Sequence, residues 1–311
     1  IANYGVIIGD VFLRGGDDSF TQWAGATLTG IVDGGDGIDS LIIDATGGGA
    51  INGDQFIHFE RFSQIGEGEV TYSGNFTFDS IHLDGGTIIV ASGENLSSDS
   101  DVTIAGGDAN ETVLNHGTIW GTIDLAGGND KVVNGGVIGG DVLLGDGDDQ
   151  FTDEAGSQVA GVIDGGAGSD LYRFLLAGDR SATWEAIGFE RLEVAGSGTL
   201  DLTLTQGFER IDLAGANLLL ADDGFVVGRI VGSDADERLT IDSDIARVEL
   251  GGGNDALTIG AQVAAGRYDG GAGVDELYLA GDTLSGVAVG FERVGLLKGI
   301  ATGIEQCLDG G

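Results

Sequence analysis

Apolar and polar residues alternate along this chain in short runs, and the runs recur. One reads Asn3, Gly5, Ile7, Gly9, Val11, Leu13. A second reads Asn115, Gly117, Ile119, Gly121, Ile123, Leu125, and a third Asn134, Gly136, Ile138, Gly140, Val142, Leu144. All named positions in a run share parity. A period of two marks extended chain with one face turned inward. Other short apolar runs, at 41–43, 70–72, 88–90, 200–204 and 218–220, are separated by Gly, Asp, Asn and Ser. They predict strands of about four to six residues. The single helical candidate, 182–189, is short and is interrupted by Gly188.

The punctuation between runs repeats as well. Gly-x-Asp-x-apolar occurs seven times, with its aspartate at Asp18, Asp39, Asp130, Asp149, Asp170, Asp255 and Asp275. Neighbouring copies are 21, 19, 21 and 20 residues apart (18 to 39, 130 to 149, 149 to 170, 255 to 275). A fixed period near twenty is the signature of a solenoid. The expected fold is therefore all-β: one right-handed parallel β-helix over residues 1–311, with coils of roughly 20 residues and about fifteen rungs. A longer repeat overlies this one. Phe-Glu-Arg triplets at 59–61, 189–191 and 291–293, with an extra copy at 208–210, suggest internal modules near 1–100, 101–230 and 231–311. In each triplet Phe is expected to be buried, with Glu and Arg paired across rungs. Asn3, Asn115 and Asn134 are expected at interior corners, either bonding one another between coils or accommodating a turn.

Composition sharpens this picture. Sixty-one glycines without a proline suit tight turns of positive φ on a regular schedule. Hydrophobic residues make up 41% of the chain, enough for a core despite a net charge of −38. That charge argues against nucleic acid and anionic lipid as partners. The lone cysteine, Cys307, precludes a disulfide within the chain. No apolar run approaches a membrane span, so no membrane is expected within this segment. No start resembling a signal peptide is visible, and Ile1 falls inside a repeat, which suggests a piece of a longer protein.

Stacked coils lie about 4.8 Å apart, which sets homologous aspartates over one another in a column on one edge. Bare charges at that distance repel, and a raised pKa or a bound cation relieves the repulsion. Oxygen-rich Gly/Asp turns suit calcium better than zinc. The three histidines, His58, His82 and His116, do not recur at turn spacing.

Two resemblances follow from these motifs. Gly34 to Ile42, Gly165 to Arg173 and Gly270 to Tyr278 match the calcium-binding RTX nonapeptide Gly-Gly-x-Gly-x-Asp-x-apolar-x; the other four turns match it in part. By that resemblance Asp39, Asp170 and Asp275 are calcium ligands, with Asp18, Asp130, Asp149 and Asp255 as their stacked partners. Unlike tandem RTX repeats, the motif comes once per coil and is missing from 42–105. The chain as a whole, over most of 1–300, resembles the passenger domain of bacterial autotransporters. That implies a parallel β-helix at the bacterial cell surface or secreted, facing a host or neighbouring-cell surface or a polysaccharide.

No catalytic constellation is legible, and the expectation is a non-enzymatic, adhesin-like stalk. Two alternatives are a carbohydrate-active β-helix enzyme (a polysaccharide hydrolase or lyase) and a calcium-dependent surface-layer or ice-binding element. The enzyme reading requires a groove with acidic, basic and aromatic side chains from neighbouring rungs. Trp23, Trp120 and Trp184 are expected in core or corner packing rather than as a sugar platform. Open end rungs invite end-to-end self-association.

Overall fold

The computed structural model describes residues 1–74, 76–78, 80–183, 185–221, 225–242, 244–260, 266–280 and 286–297. Trp184 and Cys307 lie outside the described residues. The architecture is all-β, with parallel strands stacked as a β-solenoid of roughly 20-residue coils, about 14 turns in all. The helical candidate at 182–189 is instead strand through Thr183. Among the described residues the helical content is a single 3-10 turn, Gly53–Gln55. The chain forms two compact units, residues 1–170 with 186–188, and residues 171–185 with 189–311.

In the first unit, like residues sit over like residues. Phe20, Leu41, Phe62, Ile81, Ile104, Ile123 and Val142 are in register through successive parallel strands, each at most 2% exposed. A second inward file runs Val70, Ile88, Val113, Val132, Phe151 on another sheet. The predicted parity holds in the second and third alternating runs: Ile119, Ile123, Leu125, Ile138, Val142 and Leu144 are fully buried. In the first run Ile7, Val11 and Leu13 are only half-buried. Asn115 and Asn134 do both things expected of them. The Asn115 Nδ2 donates to Oδ1 of Asn134 at 2.8 Å, and each Oδ1 also accepts the amide two residues on, from Gly117 and Gly136.

The second unit repeats the principle with different residues. Leu200, Leu218, Leu239, Leu257 and Leu277 form one buried file. Tyr172, Leu192, Ile211, Ile230, Val248 and Tyr268 form another. Burying such files removes apolar area continuously along the stack, worth about 25 cal/mol per Å2. Each coil depends chiefly on its immediate neighbours.

Candidate functional site: carboxylate files at the coil corners

The glycine-rich turns place an acidic side chain at the start of a strand, pointing inward. Of the seven sequence-predicted residues, Asp39, Asp130, Asp149, Asp170, Asp255 and Asp275 are buried to 2% exposure or less, and Asp18 is half-buried. Their partners are backbone amides. The N–H of Asp18 donates to Oδ1 of Asp39 at 2.7 Å, and that of Asp39 to Oε2 of Glu60 at 2.8 Å. Along a second file, Glu111 donates to Asp130 (2.7 Å), Asp130 to Asp149 (2.6 Å) and Asp149 to Asp170 (2.8 Å). In the second unit, Glu237 donates to Asp255 (2.8 Å), Asp255 to Asp275 (2.8 Å) and Asp275 to Oε2 of Glu292 (2.7 Å). Each carboxylate thus caps the amide of its own homologue one coil earlier.

A complementary file runs in the opposite sense one residue earlier in each turn. Asp17 Oδ1 accepts from the N–H of Ile38, Asn129 from Asp148, Asp148 from Ser169, Asp236 from Asn254 and Asn254 from Val274. Consecutive turns are therefore stapled in both directions. The outer staple ends where the residue before the aspartate no longer carries a carboxylate or amide side chain, at Ile38, Ser169 and Val274. These are the three copies that match the nonapeptide in full.

Two corrections to the sequence reading follow. The aspartates do not make one column. Within the first unit, the Asp18–Asp39–Glu60 file precedes the strands Ser19–Trp23, Ser40–Asp44 and Arg61–Ile65 of one sheet. In the other file Glu111 opens the strand Glu111–Asn115, and Asp130 and Asp149 precede Lys131–Asn134 and Gln150–Glu154, all of a different sheet, so this file occupies another corner. The signal was in the numbering: Glu60 and Glu111 are 51 residues apart, about two and a half coils. The strand Asn95–Ala105, in the stretch that lacks the motif, carries the register shift.

The second correction concerns the Phe-Glu-Arg triplets. Phe59, Phe189, Phe208 and Phe291 are buried as expected. Glu60 and Glu292, however, take aspartate positions and close the carboxylate files. The arginines pair elsewhere, Arg191 and Arg210 with Asp212, and Arg293 with Glu276. Arg191 and Arg210 also begin an outward file with Arg229, Arg247 and Arg267, which sequence reading missed. Glu249 ties Arg229 to Arg247, and Arg267 lies 3.7 Å from Asp269. Such half-exposed pairs contribute little individually.

Only glycine fits the tightest points of these turns. Gly147 and Gly273 have φ near +150°, and a Cβ on either would lie 1.5 Å from the carbonyl oxygen of Gly128 or Gly253 in the preceding coil.

Burial of the files is costly for charge. The second oxygens of Asp39, Asp130, Asp149, Asp255, Asp275, Glu111 and Glu237 are buried without a hydrogen-bond partner. Desolvation pushes Asp130 and Asp255 up to about 7, against the opposing pull of the amides of Glu111 and Glu237. The adjacent carboxyls, Glu111 and Asp149 in one file and Glu237 and Asp275 in the other, push in the same direction as burial. Burial likewise raises Glu111, Asp149 and Asp275. Two carboxyls one coil apart cannot both ionise cheaply in such a setting. The arrangement can hold a proton between Glu111 and Asp130, and another on Asp255.

Among the described residues the ladder side chains alone do not make a calcium cage. Calcium takes six to eight oxygens. Here one oxygen of each ladder carboxylate is committed to an amide. Among the described residues no three His, Cys, Asp or Glu gather to hold a metal. Of the histidines, His58 pairs with Asp33 at 2.7 Å and His116 with Glu154 at 3.5 Å. Trp120 is 56% exposed, outside the core but with its ring against Gly139 of the next coil, and the Trp23 indole N–H donates to the Thr46 carbonyl.

Fold and corners together define a parallel β-solenoid whose coils are tied by carboxylate–amide ladders. The chain matches no known family profile, and neither a curated protein nor a solved structure matches it significantly. The likeness to autotransporter passengers and RTX turns rests on the motif residues alone.

Proposed function

We propose that this chain is a non-enzymatic surface stalk of a bacterium, adhesin-like in the manner of an autotransporter passenger. One observation carries the reading: the recurrent acidic residues are spent on architecture. Asp39, Asp130, Asp149, Asp255 and Asp275 each cap a backbone amide from inside the wall and are at most 2% exposed. A carboxylate so placed is unavailable for the acid and base roles of glycoside cleavage. Among the described residues no helix is long and apolar enough to cross a membrane. The first coil leaves Val6, Ile8 and Phe12 exposed, which supports end-to-end stacking against a second copy.

The proposal is tested with the purified chain. It should attach to bacterial or host cells, or to an immobilised polysaccharide, without shortening any member of a polysaccharide panel. Turnover that disappears on neutralising a single exposed carboxylate would replace the stalk with the enzyme reading.

A further inference from the structure

One outward hollow in the second unit brings together the residue types that the ladders do not use. Arg238, Ala256, Glu276 and Arg293 are in register on four consecutive strands, Arg238–Ile241, Ala256–Ile259, Glu276–Leu279 and Arg293–Leu296. The small side chain of Ala256 between two long ones leaves a cavity of about 590 Å3, rimmed by Asp236, Asn254 and Val274. That volume falls within the range of small-ligand sites.

One wall is prearranged. Glu276 accepts from the Arg293 guanidinium through Oε1 and from the Tyr278 hydroxyl through Oε2, both at 2.7 Å. The Tyr278 ring lies directly against Gly295 of the next coil, where a Cβ would come within 2.8 Å of it. Glycine at 295 is therefore what lets the ring lie across the wall. Opposite stands Arg238. Its backbone amide is satisfied by Asn217, but its exposed guanidinium has no ion-pair or hydrogen-bond partner among the described residues. A guanidinium presents a planar fork of donors suited to a carboxylate. An aromatic face with a fixed polar edge suits the mixed surface of a sugar ring.

The geometry points to a saccharide subsite in this hollow, recognising a short acidic sugar whose carboxylate docks on Arg238 while its ring rests on Tyr278. Four carboxyls line the hollow, Asp236, Glu237, Asp255 and Glu276, against Arg238 and Arg293. Glu237 and Asp255 are buried in its wall and Glu276 is already paired with Arg293, which leaves Arg238 as the cation open to a ligand. A long polyanion meets the field of a chain at −38, whereas a short one is screened beyond about 10 Å at 0.1 M salt. The site therefore favours oligomers over polymers. It goes beyond the stalk reading and does not depend on it, since a subsite that binds without cleaving is compatible with either outcome of the turnover test.

Titration of the intact chain with a hexuronate trisaccharide, followed by calorimetry or NMR, tests this. Saturable binding is expected, with a neutral hexose trisaccharide and acetate each at least about tenfold weaker, the loss of one charge-assisted pair. Arg238→Gln, at an exposed position, should weaken the uronate by about the same factor and leave the neutral sugar unchanged. Ala256→Leu should fill the hollow and abolish binding while the melting temperature holds. The proposal is overturned by absence of saturable uronate binding, by equal binding of the neutral sugar, or by an Arg238→Gln variant that binds like the parent.

Discussion

The amide of Asp130 donates to Oδ1 of Asp149 at 2.6 Å, across the 19 residues of one coil. Both side chains are 2% exposed, and the second oxygen of each is buried without a partner. A single contact thus joins two coils and strands a charge in the wall. The consequences of that relationship can be measured.

Removing the acceptor should be costly. Asp149→Ala leaves the Asp130 N–H buried and unsatisfied, which costs about 1–3 kcal/mol. Asp149→Asn keeps an oxygen at the same place and should cost less. Urea denaturation of the two variants against the parent separates these outcomes; equal loss in both would mean that the amide cap contributes nothing.

Stability should rise on acidification. Burial raises Asp130 and Asp255 in the folded chain from about 3.8 to about 7. A carboxyl raised on folding binds its proton more tightly when folded, so its contribution is complete below the unfolded pKa and fades as pH climbs from about 4 through about 7. The melting temperature should be higher at pH 5 than at pH 8. Asp130→Asn, which keeps an acceptor without the charge, should narrow that gap. A melt that climbs between pH 5 and pH 8 contradicts the ladder's proton affinity.

The turn glycines tolerate no side chain. Gly147→Ala requires its Cβ to pass the carbonyl oxygen of Gly128, so the coil must shift, at a cost of about 2 kcal/mol or more. Gly156 also has positive φ but nothing within 4 Å of its Cβ position, so Gly156→Ala should cost only about 1 kcal/mol. Comparing the two denaturation midpoints separates the steric part from the conformational part.

Calcium is not expected to hold the ladders together. With no three carboxylates gathered among the described residues, melts in millimolar calcium and in chelator should coincide at neutral pH. A rise in melting temperature that scales with calcium concentration would restore the ion to these turns.

The fold was legible from the chain alone. Alternation at 115–125 and 134–144 and the returning Gly-x-Asp dictated strands, inward faces and coil length, because period two and a constant lap are local properties. The identity of the stacked aspartates was equally visible. What they bond to was not. An aspartate one coil away from a backbone amide reads in sequence like a ligand or a solvated turn, and only coordinates show Asp149 reaching the N–H of Asp130.

Three further matters belonged to the tertiary structure. The half-coil offset between Glu60 and Glu111 splits the carboxylates between two corners, because an irregular coil resets the phase of everything after it. Glu60 and Glu292 close their files because a parallel stack matches position within the lap, not residue type. The hollow at Ala256 exists because residues 18, 20 and 17 apart come to lie side by side across four strands. Local pattern sets what each coil is. The stacking of one coil on the next decides which groups meet, and hence which carboxyls keep their protons and where a ligand can sit.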